Sequence, residues 1–388
     1  MARRIISERE EELPISTIGE LIKIAEESKG IISLGPGEPD FDSPENVVNF
    51  ACERLKKGYT HYSPPGGRSE LKEEIVKKLK RENKIDVSPD QIIVTTGSTE
   101  AILLALLCSI DPGEGVLIPD PGFLAYKPTV ELLNGMPLCI PHYECDGFQF
   151  NVEEARRNII PEKTNVMIIN TPSNPTGVVF KRKTLEEIAD FVVEYDLLVI
   201  SDEAYEKFVY EGERHVSFAS LNGMGERTLT LHSFSKTYAM PGFRIGYAAG
   251  PERLVNAMRK IHVYTTICAP TVSQEAALEA LRGPQDSVRE MVKEYDRRRK
   301  LILRRLEEIP GFSCVKPKGA FYVFPNVKEF GMKSLEFSRW LLREVKVAVV
   351  PGTEFGRCGE GYVRLSYATS YEKIEKAMDR IERVVRRI

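Results

Sequence analysis

The sequence predicts an α/β fold: a largely parallel sheet between layers of helices, followed by a smaller α+β unit. Short apolar runs recur at 92–95, 115–119, 165–170, 197–201, 228–232 and 245–249, and helical patterns lie between most of them. Strands alternating with helices read as parallel units covered on both faces. From about Pro284 that rhythm gives way to a basic helical stretch and a few short strands. A chain of 388 residues has room for two or three domains.

Taken in order, the first twelve residues are charged. Thr17 with Glu20 fits a capping box, and Ile18, Leu21, Ile22 and Ala25 fall on one helical face, which reads as core packing. Two Pro/Gly loops follow, LGPGEPDFDSP at 34–44 and YTHYSPPGG at 59–67. Residues 68–82 carry an amphipathic helix pattern. After the strand at 92–95, Gly97, Ser98 and Thr99 open a helix to Leu107. Thr184 with Glu187 predicts the cap of a helix reaching about Tyr195. In the second unit, 320–325, 345–350 and 362–367 read as strands around a Gly-rich loop at 352–361. A closing helix places Ile374, Ala377, Ile381, Val384 and Ile388 on one face. The expected division is 1–50 as an arm joining the small unit, 51–284 as the large domain and 285–388 as the small one.

Composition excludes several classes. Lys and Arg total 54 against 57 Asp and Glu, a net charge of −3, which argues against nucleic-acid or membrane-surface partners. No apolar run approaches the roughly 20 residues of a membrane span, and the N-terminus lacks the apolar stretch of a signal peptide. Seven cysteines without a CxxC pair fit reduced thiols, hence a cytoplasmic protein. The five histidines show no metal-ligand spacing, so no metal is expected.

The chemistry centres on SFSKTYAMPGFR, from Ser233 to Arg244, at the end of the 228–232 strand. Lysine forms Schiff bases with carbonyl cofactors because burial lowers its pKa, and arginine holds phosphate through paired hydrogen bonds. Lys236 for an aldehyde and Arg244 for a phosphate together describe pyridoxal 5'-phosphate; a surface loop with two solvated cations would look the same in isolation. Ligands of open α/β sheets sit beyond the carboxyl ends of the strands. At those ends stand Gly97-Ser98-Thr99, an anion site at a helix start or an ordinary cap; NTPSNPTG from Asn170, a rigid turn displaying amides; and Asp202 with Tyr205, where a buried aspartate needs a cationic partner. Phe123 offers a flat stacking surface or a core ring. GTEFGRCGEG precedes a strand rather than a helix and lacks GxGxxG, which argues against a nucleotide loop.

GEPDF from Gly37, NPTG from Asn174, SDEAY from Ser201, SFSKTYAMPGFRIGY from Ser233 and YVRLSYA from Tyr362, in this order over nearly the whole chain, resemble the class I/II aminotransferases, pyridoxal-phosphate enzymes of fold type I. The resemblance is to aromatic and aspartate aminotransferases of the archaeal and bacterial type. It implies a mostly parallel seven-stranded sheet in the large domain. It implies that Lys236 carries the cofactor covalently, that Asp202 pairs with the pyridine nitrogen, and that Tyr205 and Asn174 donate to the ring's phenolic oxygen. Phe123 would stack on the ring. Ser98, Thr99, Ser233 and Arg244, with Gly97 and Ser235 beside them, would hold the phosphate. Tyr62 would reach the phosphate across a homodimer interface. Arg364 would grip the substrate α-carboxylate, with Asn174 and the Gly37 backbone nearby.

The implied reaction is a ping-pong transfer of an amino group from an amino acid to a 2-oxo acid. Other reactions of the same fold, such as carbon–sulfur lysis, cyclopropane-carboxylate synthesis or acyl transfer, use the same lysine. An effector-binding module without catalysis is a reading from another class. For the substrate, no second arginine stands in a matching motif to hold a distal carboxylate. Ile18, Tyr62, Phe123 and Tyr322 lie on segments that the resemblance puts around the site. These residues favour aromatic amino acids with 2-oxoglutarate as acceptor; aspartate is the alternative.

Overall fold

The computed structural model describes residues 5–11, 13 and 30–387. The helix expected around Thr17, Glu20, Leu21, Ile22 and Ala25, the pocket residue Ile18 and the last residue, Ile388, lie outside them.

Twelve strands follow one another: β1 (Ile32–Ser33), β2 (Ile92–Thr95), β3 (Gly115–Asp120), β4 (Met136–Pro141), β5 (Thr164–Asn170), β6 (Leu198–Asp202), β7 (Thr228–Ser233), β8 (Gly246–Ala249), β9 (Tyr322–Val323), β10 (Val347–Ala348), β11 (Val350–Pro351) and β12 (Val363–Ser366). Seven form the main sheet in the order β2-β8-β7-β6-β5-β3-β4, all parallel except β8. β7, although it reads Thr-Leu-Thr-Leu-His-Ser, is buried at every residue because both faces of the sheet are covered, as parallel sheets require. Val199 of β6 packs on one face with Leu185, Ile188 and Phe191 of the helix Arg182–Glu194. Its neighbour Ile200 packs on the other face with Leu104 of the helix Ser98–Ser109 and Met258 of the helix Glu252–Thr265.

The smaller unit joins β9, β11 and β12 in an antiparallel sheet, and β10 pairs in parallel with β1. The helices Asp286–Glu308, Ser334–Val345 and Tyr371–Val385 close over it. Its core of Tyr295, Phe321, Phe337 and Ile374 extends to Ala204 and Tyr205, which follow β6. The two units therefore meet at the carboxyl end of the main sheet. Among the described residues no helix is long and apolar enough to cross a membrane.

Four local expectations need correction. Thr184 does not cap its helix, which begins at Arg182 after Lys181. Thr171 Oγ1 accepts the Phe180 N–H at 2.9 Å, which fixes the chain's exit earlier. The apolar run 345–350 is not one strand: Val345 ends a helix, Lys346 reverses the chain at φ 57°, and β10 and β11 pair with different partners. The pattern at 68–82 is α-helical only over Ser69–Lys78, with a wider π-type turn over Leu79–Asn83. β4, with Pro137 and Pro141, was not anticipated; it lies at the sheet edge, where missing amide donors are tolerated.

Candidate active site

Three parallel strands end side by side, and each delivers a polar residue to one cleft. Asn170 of β5 is in register with Asp202 of β6, and β7 ends at Ser233. The cleft, about 190 Å3 in volume, is lined by these residues and by Lys236, Arg244 and Arg364, among others.

Lys236 sits in the short helix Phe234–Thr237, which the Ser233 hydroxyl caps by accepting the Ser235 N–H at 3.2 Å. Its amine donates to the Gly37 carbonyl. Burial, and secondarily the positive charge of Arg364, bring its pKa down to about 8. A neutral amine is the form that attacks a carbonyl.

Asp202 is 5 % exposed. Its Oδ1 accepts the Ala204 N–H at 3.2 Å and its Oδ2 the Tyr126 hydroxyl at 2.7 Å. Burial raises its pKa, and the hydrogen bond from Tyr126 opposes that rise. A carboxylate held in this way needs a cation, and a protonated pyridine nitrogen would supply one.

At one end of the cleft, Gly97 precedes the helix Ser98–Ser109 at φ 79°. A side chain there would run into Arg244 Nη2 at 2.8 Å, so the arginine can lie against the helix start only because position 97 is glycine. Ser98, Thr99, Ser233, Ser235 and Arg244 line this end. The free N–H groups of a helix start, hydroxyls and a guanidinium together make a phosphate-binding set.

At the other end lies Arg364, 2 % exposed. Its Nη1 donates to Asn174 Oδ1 at 2.9 Å and its Nη2 to the Gly35 carbonyl at 2.6 Å. Its guanidinium is sandwiched between Tyr322 and Phe355, at 4.5 and 4.7 Å from the ring centroids. Among the described residues its buried Nε has no hydrogen-bond partner, so a donor is left for a carboxylate. The Tyr205 hydroxyl meets that of Tyr322 at 2.7 Å. The loop after β1 closes this end: Asp40 is held by Arg298 Nη1 at 2.8 Å, and Ser43 donates to the Ala239 carbonyl at 2.6 Å.

The cleft therefore gathers Gly37, Ser98, Thr99, Phe123, Asn174, Asp202, Tyr205, Ser233, Ser235, Lys236, Arg244 and Arg364. Gly97 stands behind it as a cap. Tyr62 does not line it and is 80 % exposed on its loop. Sequence reasoning missed Tyr126, Leu124 and Phe355. It took Tyr322 for an aromatic wall only, whereas its hydroxyl meets Tyr205 and its ring covers Arg364. Tyr126 gives one faint sequence signal, its place three residues after Phe123. The donor set fits pyridoxal phosphate: an amine for the aldehyde, a carboxylate for the ring nitrogen and hydroxyls with a guanidinium for the phosphate.

A family model described as aminotransferase class I and II matches residues 29–381. The chain is 52 % identical over 374 residues to an aspartate aminotransferase of Pyrococcus abyssi, covering 96 % of each chain. It is 50 % identical over 384 residues to aromatic-amino-acid aminotransferase 2 of Thermococcus litoralis, covering 98 % of each. The crystal structure of an aromatic aminotransferase from Pyrococcus horikoshii superposes with a TM-score of 0.90 at 50 % identity, covering 95 % of this chain and 99 % of that one. The chain belongs to the class I and II aminotransferases, enzymes that work with pyridoxal 5'-phosphate.

Proposed function

We propose that this aminotransferase takes aromatic amino acids as donors and 2-oxoglutarate as acceptor, and works as a cytoplasmic homodimer with shared sites. The observation that carries the substrate reading is the charge layout of the cleft. Among the described residues lining it, the cations are Lys236, Arg244 and Arg364. The first is the covalent anchor, the second belongs to the phosphate end, and the third is needed for the α-carboxylate. That leaves no cation for a distal carboxylate, while Phe123, Leu124, Tyr205 and Tyr322 give the cleft apolar surface. Burying a phenyl-sized group is worth roughly 2 kcal/mol. Glutamate would be held by neutral donors instead. The names of the relatives divide between aspartate and aromatic substrates, which makes aspartate the second reading.

In the proposed reaction Arg364 holds the α-carboxylate and so aims the substrate Cα at Lys236. Lys236 Nζ takes the Cα proton and later returns it, the work of a general base turned acid. Asp202 would keep a proton on the pyridine nitrogen, and Asn174 Nδ2 and the Tyr205 hydroxyl would donate to the phenolic oxygen. Pyridoxal phosphate, when bound, supplies an electron sink for the pair left at Cα. The segments 1–50 with 285–388 on one side and 51–284 on the other are the proposed domains. Specificity constants for phenylalanine, tyrosine, aspartate and alanine against 2-oxoglutarate test the reading: both aromatics should lead, and aspartate ahead of them by about tenfold would overturn it.

A further inference from the structure

The residue after Asp202 turns the other way. Glu203 is fully buried and accepts hydrogen bonds from four groups. Oε1 takes the Ser201 hydroxyl at 2.9 Å and the Phe218 N–H at 3.2 Å; Oε2 takes the Ser217 hydroxyl at 2.5 Å and His215 Nε2 at 2.7 Å. A second carboxylate, Glu206, accepts from Lys78 and from Asn83 Nδ2, the latter at 2.8 Å. The two are joined because Asn83 Nδ2 also donates to Ser217 Oγ at 2.7 Å. His232 lies between them, 3.5 Å from Glu206 and 4.0 Å from Glu203.

This network lies outside the cleft, yet it touches the cofactor-facing residues at two points. Glu203 follows Asp202, and His232 precedes Ser233. Its far anchors, Lys78 and Asn83, are on the π-type turn and the helix before it. Burying charges in this way is a poor means of gaining stability, because apolar side chains of the same size usually pack as well or better. What such a network does provide is a fixed direction for the backbone that carries it. The 202–203 peptide is held by its own bonds, from the Glu203 N–H to the Leu231 carbonyl at 3.0 Å and from Asn170 Nδ2 to the Asp202 carbonyl at 2.9 Å. Four donors on the Glu203 carboxylate hold the residue that starts the next peptide, 203–204, whose Ala204 N–H meets Asp202 Oδ1 at 3.2 Å.

We propose that Glu203 is a positioning residue for Asp202: by anchoring the turn that presents the Ala204 N–H to Asp202 Oδ1, it aims the Asp202 carboxylate at the pyridine nitrogen. The inference rests on the reading of Asp202 given above. The test uses the holoenzyme and three variants: Glu203→Gln, Asp202→Asn and the double variant. Gln keeps the size of the side chain but presents an amide N–H to groups that are themselves donors. Glu203→Gln should lower kcat at least tenfold, with KM for the amino donor within about threefold. It should also change the visible circular dichroism of the bound cofactor, which reports ring orientation. In the Asp202→Asn background the same change should have little further effect, because its route is already cut.

A merely structural glutamate would lower the melting temperature while leaving kcat and the dichroism intact below it, and that result overturns the proposal. Additive losses in the double variant overturn it too. Should Asp202→Asn itself turn over like wild type, the site assignment has failed rather than the link from Glu203. Should Glu203→Gln fail to fold, Ser217→Ala removes one of the four donors, and the same dichroism and kcat decide: a change in both supports the proposal, and wild-type values overturn it.

Discussion

Asn174 accepts a hydrogen bond from Arg364 through Oδ1, at 2.9 Å, which leaves only its Nδ2 to face the cleft. In the proposed roles, one amide ties the substrate-gripping cation to the cofactor's oxygen: its acceptor steadies the guanidinium, and its donors remain for the ring.

Asn174→Ala should therefore harm two steps together. It leaves Arg364 Nη1 short of a partner in a buried place, where Nε already has none. Stranding a buried donor costs about 1–3 kcal/mol. The expected loss in kcat/KM is roughly tenfold to hundredfold, with KM for the amino acid raised and cofactor affinity lowered. Arg364→Lys should cost more, on the order of 3 kcal/mol in kcat/KM, because a lysine cannot hold a carboxylate through two parallel bonds while stacked between Tyr322 and Phe355. Steady-state kinetics with varied amino donor read both. An unchanged KM for either variant would remove the carboxylate from Arg364.

The second prediction separates two groups on one carboxylate. Asp202→Ala removes the proposed partner of the ring nitrogen and should slow turnover by about three orders of magnitude, roughly 4 kcal/mol. Tyr126→Phe leaves that carboxylate in place but removes the hydroxyl held at 2.7 Å. Losing one donor to a buried charge is worth about 1.5–3 kcal/mol, so the rate should fall by tenfold to about hundredfold. Pre-steady-state measurement of the proton-transfer step orders the two. Equal losses in both variants would mean that Tyr126 does more than support Asp202.

Much of this site was legible because its residues stand at the ends of apolar strands. Asn170, Asp202 and Ser233 each close a run whose hydrophobicity marks a buried strand, and a polar residue there has to face something. Lys236 and Arg244 were legible from their chemistry and short spacing. Tyr126 was scarcely so: its bond to Asp202 spans 76 positions, and its place three residues after Phe123 barely distinguishes it from a core tyrosine. The same holds for Phe355, whose ring covers the Arg364 guanidinium only once the intervening Gly-rich loop has turned back on itself. Local patterns failed where the chain departs from simple periodicity. Lys346 parts one apolar run between a helix end and the strands β10 and β11, and the prolines of β4 hide an edge strand.

The third prediction is a pH dependence. Burial and the charge of Arg364 disfavour the Lys236 ammonium and bring its pKa to about 8, against 10.5 for an ordinary lysine. The neutral amine therefore accumulates as pH rises through 8, and about one in ten is already neutral at pH 7. Covalent capture of pyridoxal phosphate by the apoprotein, followed by absorbance, should accelerate about tenfold per pH unit below 8 and level off above it. The same shift acts on stability. Between about 8 and 10.5 the unfolded chain binds more protons than the folded one, so the apoprotein gains stability as pH rises across that window. Below it, the cost of the buried ammonium is fully present. A capture rate still climbing at pH 10 would show that Lys236 is an ordinary amine.

The last prediction concerns the second subunit. Tyr62 is 80 % exposed, yet the loop that carries it is tightly braced. Thr271 Oγ1 donates to the His61 carbonyl at 2.7 Å, Gln274 Nε2 to Ser63 Oγ at 2.6 Å, and His262 Nδ1 lies 2.7 Å from the Pro65 carbonyl. An aromatic side chain presented to solvent from a braced loop is prepared for a partner surface. If Tyr62 serves the other subunit's phosphate, Tyr62→Phe should weaken cofactor binding roughly tenfold, and Lys236→Ala should abolish turnover. Mixing the two variants under conditions of proven subunit exchange then gives a qualitative answer. In a mixed dimer one site carries both lesions and the other neither, so about a quarter of all sites should regain wild-type cofactor affinity and turnover. If Tyr62 acts within its own chain, the mixed dimer holds no intact site, and activity stays at the level set by the Tyr62→Phe subunits alone.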